Sequence, residues 1–316
     1  MKDPAQSLAT AARRIDPLAP HPPGVYADHL VRVVRIAPPR DDADAADAAA
    51  SAAAPVARTE HFRLRRRGGR IELDHWLRPG RLDNDLAGLL AEELFAPGWL
   101  SGPDIFERVF TGVVRTCVDG PLTAWSTFYA NTLARTRRYW RMPAPATRSS
   151  IAGFAPVYRR ALDLVPPGPV LDVGSCFGFL PLLLAERAAG RVIASDLSRG
   201  TMRLLAAVAG ARGLPLETLT CDAVRVPLPD GCVDTVTAVH LLEHLDGAQG
   251  EAVVREALRL ARRRVVVAVP YEEEPTAAYG HVRVFDRAAL TALGRATGRR
   301  FRVDDHHGGW LVIDTG

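Results

Sequence analysis

Residues Val170 to Leu184 read VLDVGSCFGFLPLLL, an apolar run that ends in Asp172, turns through Gly174 and Gly178 and restarts as an apolar helix. The two glycines let backbone amides approach a ligand where a Cβ would block them. The helix that follows aims the positive end of its dipole at whatever anion or polar group sits there. Such a turn suits a nucleotide. Two further acids, Asp196 in RVIASDLS and Asp222 in LETLTCDA, stand at the ends of strand-like runs and narrow the ligand. A dinucleotide turn reads GxGxxG to seat a pyrophosphate, with one ribose-binding acid about 20 residues on. Gly174-Ser175-Cys176-Phe177-Gly178 lacks that spacing and favours a smaller adenosine compound.

A second constellation follows the fourth strand-like run of this region, in Val239-His240-Leu241-Leu242-Glu243-His244-Leu245. On a helical turn His240, Glu243 and His244 would share one face, being three and four apart. That face suits proton or metal chemistry. An alcohol nucleophile needs either a base near neutral pKa or a cation that lowers the hydroxyl's own pKa; a neutral His meets the first need and a His/Glu cluster the second. After the fifth run comes an acidic loop, Pro270-Tyr271-Glu272-Glu273-Glu274-Pro275, and then YGHVRVF from Tyr279 to Phe285, where His281 and Arg283 could bind hydroxyls. His306-His307 before Gly308-Gly309 reads as a tight turn with no third metal ligand nearby in sequence.

These residues must be held by regular elements. Apolar runs at Val170 to Val173, Arg191 to Ser195, Glu217 to Cys221, Val233 to Val239, Arg264 to Val269, Phe301 to Asp305 and Gly309 to Ile313 alternate with helical segments, beginning with Ile151 to Leu164. Seven strands with intervening helices predict an open, doubly wound α/β sheet, Rossmann-like, over 151–316. Upstream, residues 25–150 read as a mixed β and helical extension. Val25 to Ala37 alternates as one half-buried strand, Glu60 to Leu77 forms two strand-like runs around Gly68-Gly69, and Leu82 to Arg141 has helical period. Trp125, Phe128, Tyr129, Tyr139 and Trp140 are candidates for a pocket wall, with Tyr129 and Asn131 as polar handles, although such spacing fits ordinary helix core better than a ligand role for any one of them. Residues 1–24, rich in Pro and Ala, read as a disordered tail, and 41–55, DDADAADAAASAAAP, as a low-complexity loop.

Composition fits a soluble enzyme of the cytoplasm: 316 residues, 47% hydrophobic, with no apolar run long enough to span a membrane and no secretory h-region near Met1. The four cysteines form no CxxC pair, which favours reduced thiols over disulfides or zinc. The formal charge of +4 does not mark a nucleic-acid binder, because 36 acids nearly balance 40 bases and Lys2 is the only lysine.

The turn and the three ordered acids resemble the class I S-adenosylmethionine-dependent methyltransferases over the C-terminal half of the chain. The resemblance implies that Asp172, Gly174, Cys176 and Gly178 surround the methionine end of the cofactor. It also implies that Asp196 accepts the ribose hydroxyls, Leu197 packs on the adenine, Asp222 accepts from the adenine amino group and the Ala223 amide lies near a ring nitrogen. Cys176 departs from the family, where Gly is usual. The resemblance further implies a last strand antiparallel to the others, and helical N-terminal additions that form a lid. His240, Glu243 and His244 would then be catalytic, with Tyr129, Tyr271, His281 and Arg283 touching substrate. Their spacing also resembles the Glu-x-x-Glu-His metal site of some quinone and terminal-ribose methyltransferases, with His240 in place of the first Glu, which would favour manganese or zinc over magnesium at His240, Glu243 and His244. The VYADHLVRV opening and the YGHVRVFD segment resemble a member acting on a glycosylated small molecule, implying O-methylation of a sugar hydroxyl on a small-molecule or oligosaccharide acceptor. Alternatives are a quinone or phenolic acceptor, a terminal ribose of RNA, and a non-catalytic cofactor-binding scaffold.

Overall fold

The computed structural model describes residues 15–38, 56–142, 149–187, 190–276 and 280–316. The low-complexity segment 41–55 and the first 14 residues of the expected tail lie outside them. The chain divides into two compact units, one of Met1–Ala134 with Thr147–Ser150, the other of Arg135–Ala146 with Ile151–Gly316.

The first unit opens on a five-stranded sheet of β1 (Val25–Ala27), β2 (Val31–Arg35), β3 (Ala57–Arg58), β4 (Phe62–Arg67) and β5 (Arg70–His75), ordered β1-β2-β5-β4-β3. The single strand expected from Val25 to Ala37 is two strands. Asp28 turns the chain because its Oδ1 accepts from the amides of Leu30 at 2.8 Å and Val31 at 2.9 Å, which folds β1 back antiparallel on β2. Gly68 and Gly69, with φ of 55° and 79°, make the expected hairpin between β4 and β5. Three helices follow: α1 (Leu86–Leu90), running into a π turn at Ala91–Phe95, α2 (Pro103–Cys117) and, as far as Ala134, α3 (Pro121–Tyr139). Gly112 lets α2 close on the sheet, since a Cβ there would lie 2.5 Å from Val33 Cγ2.

Residues 15–24 correct the expectation of a tail that is disordered to residue 24. Trp125 Nε1 donates to the Pro17 carbonyl at 2.9 Å and Arg115 Nη1 to the Asp16 carbonyl at 3.3 Å, so this stretch is held by α2 and α3.

The second unit contains α4 (Ser150–Leu164) from Ile151 onward, then β6 (Val170–Val173), α5 (Phe179–Glu186), β7 (Val192–Asp196), α6 (Arg199–Ala211), β8 (Leu216–Thr220) and β9 (Val233–Val239). It continues through α7 (Gly247–Leu260), β10 (Ala261–Val269), α8 (Arg287–Ala296), β11 (Arg300–Asp305) and β12 (Gly309–Asp314). Its seven strands are ordered β11-β12-β10-β9-β6-β7-β8, and β12 runs antiparallel to both neighbours while β10, β9, β6, β7 and β8 pair in parallel. This is the doubly wound α/β sheet expected, with the antiparallel last strand. All four residues of β6 are buried, as a strand covered by helices on both faces requires. The strand order reverses beside β6, between β7 and β9. The crevice outside the carboxyl ends of such strands is where doubly wound sheets hold ligands.

Candidate functional site

The glycine turn leaves β6 at Asp172, which is 3% exposed. Thr237 on β9 donates to Asp172 Oδ1 at 2.5 Å, and Ser175 donates its hydroxyl to the Asp172 carbonyl at 3.0 Å. Burial pushes the Asp172 carboxyl up to about 6, against the bond from Thr237 and helped by the negative charge of Asp196. Gly174 has φ of 70°, and a Cβ there would lie 2.7 Å from Leu241 Cδ1; Gly178 has φ of 75°, and a Cβ there would lie 2.3 Å from Leu205 Cδ2. The first contact sets the turn directly against the loop that leaves β9.

Cys176 holds φ of 49° without glycine's freedom, at a cost of about 1 kcal/mol. Its amide donates to Asp196 Oδ2 at 3.0 Å, while the Ser198 amide donates to Oδ1 at 2.8 Å. Two backbone amides thus aim the carboxylate at the end of β7, and each oxygen keeps a lone pair for a hydroxyl donor. Beside it Leu197 is 70% exposed, an apolar surface next to an oriented acid. Asp222 follows β8 with Oδ1 accepting from the Val224 amide at 3.0 Å, and Ala223 is packed partly against the core.

The loop after β9 is not the helical turn expected. His240 takes a left-handed φ of 54°, and a short 3-10 turn covers Leu242–His244. Glu243 is fully buried, with His240 Nδ1 at 3.1 Å from its Oε1, yet neither carboxylate oxygen receives a hydrogen bond. His244 is exposed, its Nδ1 3.2 Å from the Gly280 carbonyl. Val282 donates its amide to the Glu243 carbonyl at 2.9 Å, which ties the loop after β10 to this turn and places the His281 ring 4.9 Å from that of His244. His281 Nδ1 in turn lies 2.7 Å from Glu272 Oε2.

Several expected contacts are placed elsewhere. Tyr129 is fully buried in the first unit against Phe128, and Trp125 and Phe128 are buried beside it, so these residues build core and the expected pocket wall is corrected there. Asn131 Nδ2 donates to the carbonyls of Pro79 and Leu82 at 2.8 and 2.9 Å, which is a brace. Tyr271 donates its hydroxyl to Asp305 at 2.8 Å; burial and that bond push it up to about 12. Arg283 lies over the Phe285 ring at 4.3 Å, with Nη1 buried and unbonded. Tyr279 lies outside the described residues.

Two aromatic residues on α4 were missed. The Phe154 ring lies 5.0 Å from that of His240, and the Tyr158 hydroxyl is pushed above its ordinary range by burial and by Cys176 and Asp172. Their four-residue spacing on a helix just before the first core strand was the available signal.

Residues 171–269 match the family model described as a methyltransferase domain, a span that runs from the glycine turn through the His/Glu loop to the end of β10. The chain is 34% identical over 142 residues to the demethylmenaquinone methyltransferase of Thermus thermophilus, covering 43% of this chain and 64% of that one. It is 40% identical over 91 residues to the nocamycin O-methyltransferase of Saccharothrix syringae, covering 27% of this chain and 32% of that one. It thus spans between about a third and two thirds of these two relatives. A solved S-adenosylmethionine-dependent methyltransferase from Aquifex aeolicus superposes with a TM-score of 0.44 at 18% identity, over 58% of this chain and 96% of that one. Among the described residues no helix is long and apolar enough to cross a membrane.

Proposed function

We propose that the chain is an S-adenosylmethionine-dependent O-methyltransferase acting on a sugar hydroxyl of a glycosylated small molecule. The observation that carries this reading is the oriented Asp196 beside the Gly174–Gly178 turn, with a His/Glu group touching the same turn through Leu241. These residues fit the cofactor. Asp196 has lone pairs left for two ribose hydroxyls, exposed Leu197 offers the adenine a face, and Asp222 with the Ala223 amide would read the adenine edge. Asp172, Gly174, Cys176 and Gly178 would enclose the methionine end. When bound, the cofactor supplies an electrophilic methyl carbon on a sulfonium.

The chain's remaining task is to align the acceptor oxygen and remove its proton. His240, Glu243 and His244 are the groups for the proton, His281 and Arg283 those for orienting hydroxyls. A sugar hydroxyl is a far weaker acid than a phenol and needs such assistance more, which favours a polyol acceptor. The opening strands, the DVGSCFGF turn and the YGHVRVFD segment support a finer reading, the oligosaccharide of the redox cofactor mycofactocin. A quinone or phenolic acceptor is the second reading, favoured by the similarity to a demethylmenaquinone methyltransferase.

The test is to incubate the purified chain with S-adenosylmethionine and matched panels of glucosides, phenols and quinones, with mass spectrometry as readout. A gain of one methylene mass on the glucosides is expected. A gain confined to the aromatic panel would replace this acceptor, and no transfer to any panel alongside tight cofactor binding would favour a scaffold.

A further inference from the structure

Glu243, His244 and His281 each bring one ligand atom to within 4.8 Å of the other two. Two loops build the group: the 3-10 turn after β9 supplies the first two residues and the loop after β10 the third, joined by the Val282-to-Glu243 backbone bond. Both imidazoles are held from behind. The Nδ1 of His244 faces the Gly280 carbonyl, and that of His281 faces Glu272 Oε2, so each ring donates Nδ1–H and leaves Nε2 as a lone-pair nitrogen. A carbonyl or carboxylate behind the ring is the usual support of a metal-ligating histidine. The two rings stand at 82° to one another rather than stacked.

Glu243 supplies an independent observation. Its side chain is 1% exposed and neither oxygen receives a hydrogen bond, although His240 Nδ1 stands at 3.1 Å. A buried carboxylate whose one close polar neighbour is a poorly aligned imidazole is costly, and a cation is a partner that would lower the cost. The other group of this kind among the described residues, Glu60, His61 and Glu93, lacks this feature: the His61 amide and ring already bond Glu93, and the Glu60 side chain is 84% exposed.

We propose that Glu243, His244 and His281 bind one divalent cation, with Glu272 and the Gly280 carbonyl as its outer support. The set departs from the one suggested by spacing, with His281 replacing His240. One carboxylate and two imidazoles favour a borderline ion such as zinc or manganese over magnesium. Tetrahedral zinc sets its ligands about 3.4 Å apart, so the group needs to tighten modestly on binding. Three protein ligands leave positions open for acceptor hydroxyl oxygens, whose protons the cation would make easier to remove. This deepens the methyltransferase reading and rests on it for the acceptor alone.

The test uses the full chain stripped with chelator, titrated calorimetrically with zinc and separately with manganese, with bound metal counted by mass spectrometry. One equivalent per chain is expected. Glu243→Gln and His281→Ala should weaken binding at least tenfold, and Glu272→Gln, which leaves all three ligands in place, by about tenfold to a hundredfold. His240→Ala removes only a neighbour of Glu243 Oε1 and should weaken binding less than His281→Ala does. S-adenosylmethionine affinity, measured on the same samples, reports folding and the cofactor site separately. No stoichiometric metal on a parent that binds S-adenosylmethionine would overturn the cation site alone. A loss in His240→Ala equal to that in His281→Ala would overturn the ligand set. Metal uptake without S-adenosylmethionine binding would support the cation site and overturn the methyltransferase reading.

Discussion

Asp172 couples the cofactor turn to the stability of its sheet. Burial raises its folded-state pKa from an ordinary 3.8 to about 6, so the folded chain holds this proton more tightly than the unfolded one. That contribution is complete below about pH 4 and is lost as pH rises through 6. Asp172→Asn keeps an oxygen for the Thr237 hydroxyl and removes the charge. Thermal melts of parent and variant should therefore diverge between pH 4 and 6.5, the parent losing on the order of 3 kcal/mol relative to the variant. Parallel curves would mean that Asp172 is charged in both states. His244 carries a different expectation. His244→Ala should lower kcat by about a hundredfold to ten-thousandfold with S-adenosylmethionine affinity little changed, since the role proposed for it is on the acceptor and not on the nucleotide. Near-parental turnover would leave alignment of the acceptor as the main source of rate.

At the scale of elements, the close approach of α6 to the turn depends on Gly178. A Cβ there meets Leu205 at 2.3 Å under a φ of 75°, so Gly178→Ala should cost about 1–3 kcal/mol and weaken cofactor binding, read by melts and calorimetry together. A melting temperature equal to the parent's would show that the turn tolerates a side chain. The buried parallel strands of this unit were legible in sequence because they are nearly continuous apolar runs; β6 and β9 fall at the residues expected. The glycine turn and its acids were legible because their spacing is local. Three features were not. Asp28 breaks one alternating run into two strands through side-chain bonds that an apolar pattern does not encode. His240 takes a left-handed conformation that moves it off the face it would share on a helix. His281 joins Glu243 and His244 from another loop, and only the folded backbone brings these two loops together.

For the whole molecule, the chemistry argued above resides in the second unit, while the helices of the first bury Trp125, Phe128 and Tyr129 as its core. Residues 41–55 contain only Asp, Ala, Ser and Pro, with no large apolar side chain to bury. A chain lacking them should keep its melting temperature and cofactor affinity, and a collapse of either would give the segment a structural task. The account stands most directly on one measurement, calorimetric titration of S-adenosylmethionine onto the parent and onto Asp196→Ala. It predicts saturable one-site binding to the parent and at least a tenfold weaker affinity in the variant, since charge-assisted hydrogen bonds contribute roughly 1.5–3 kcal/mol. Unchanged affinity in a folded Asp196→Ala chain, or a parent that does not bind, would contradict it.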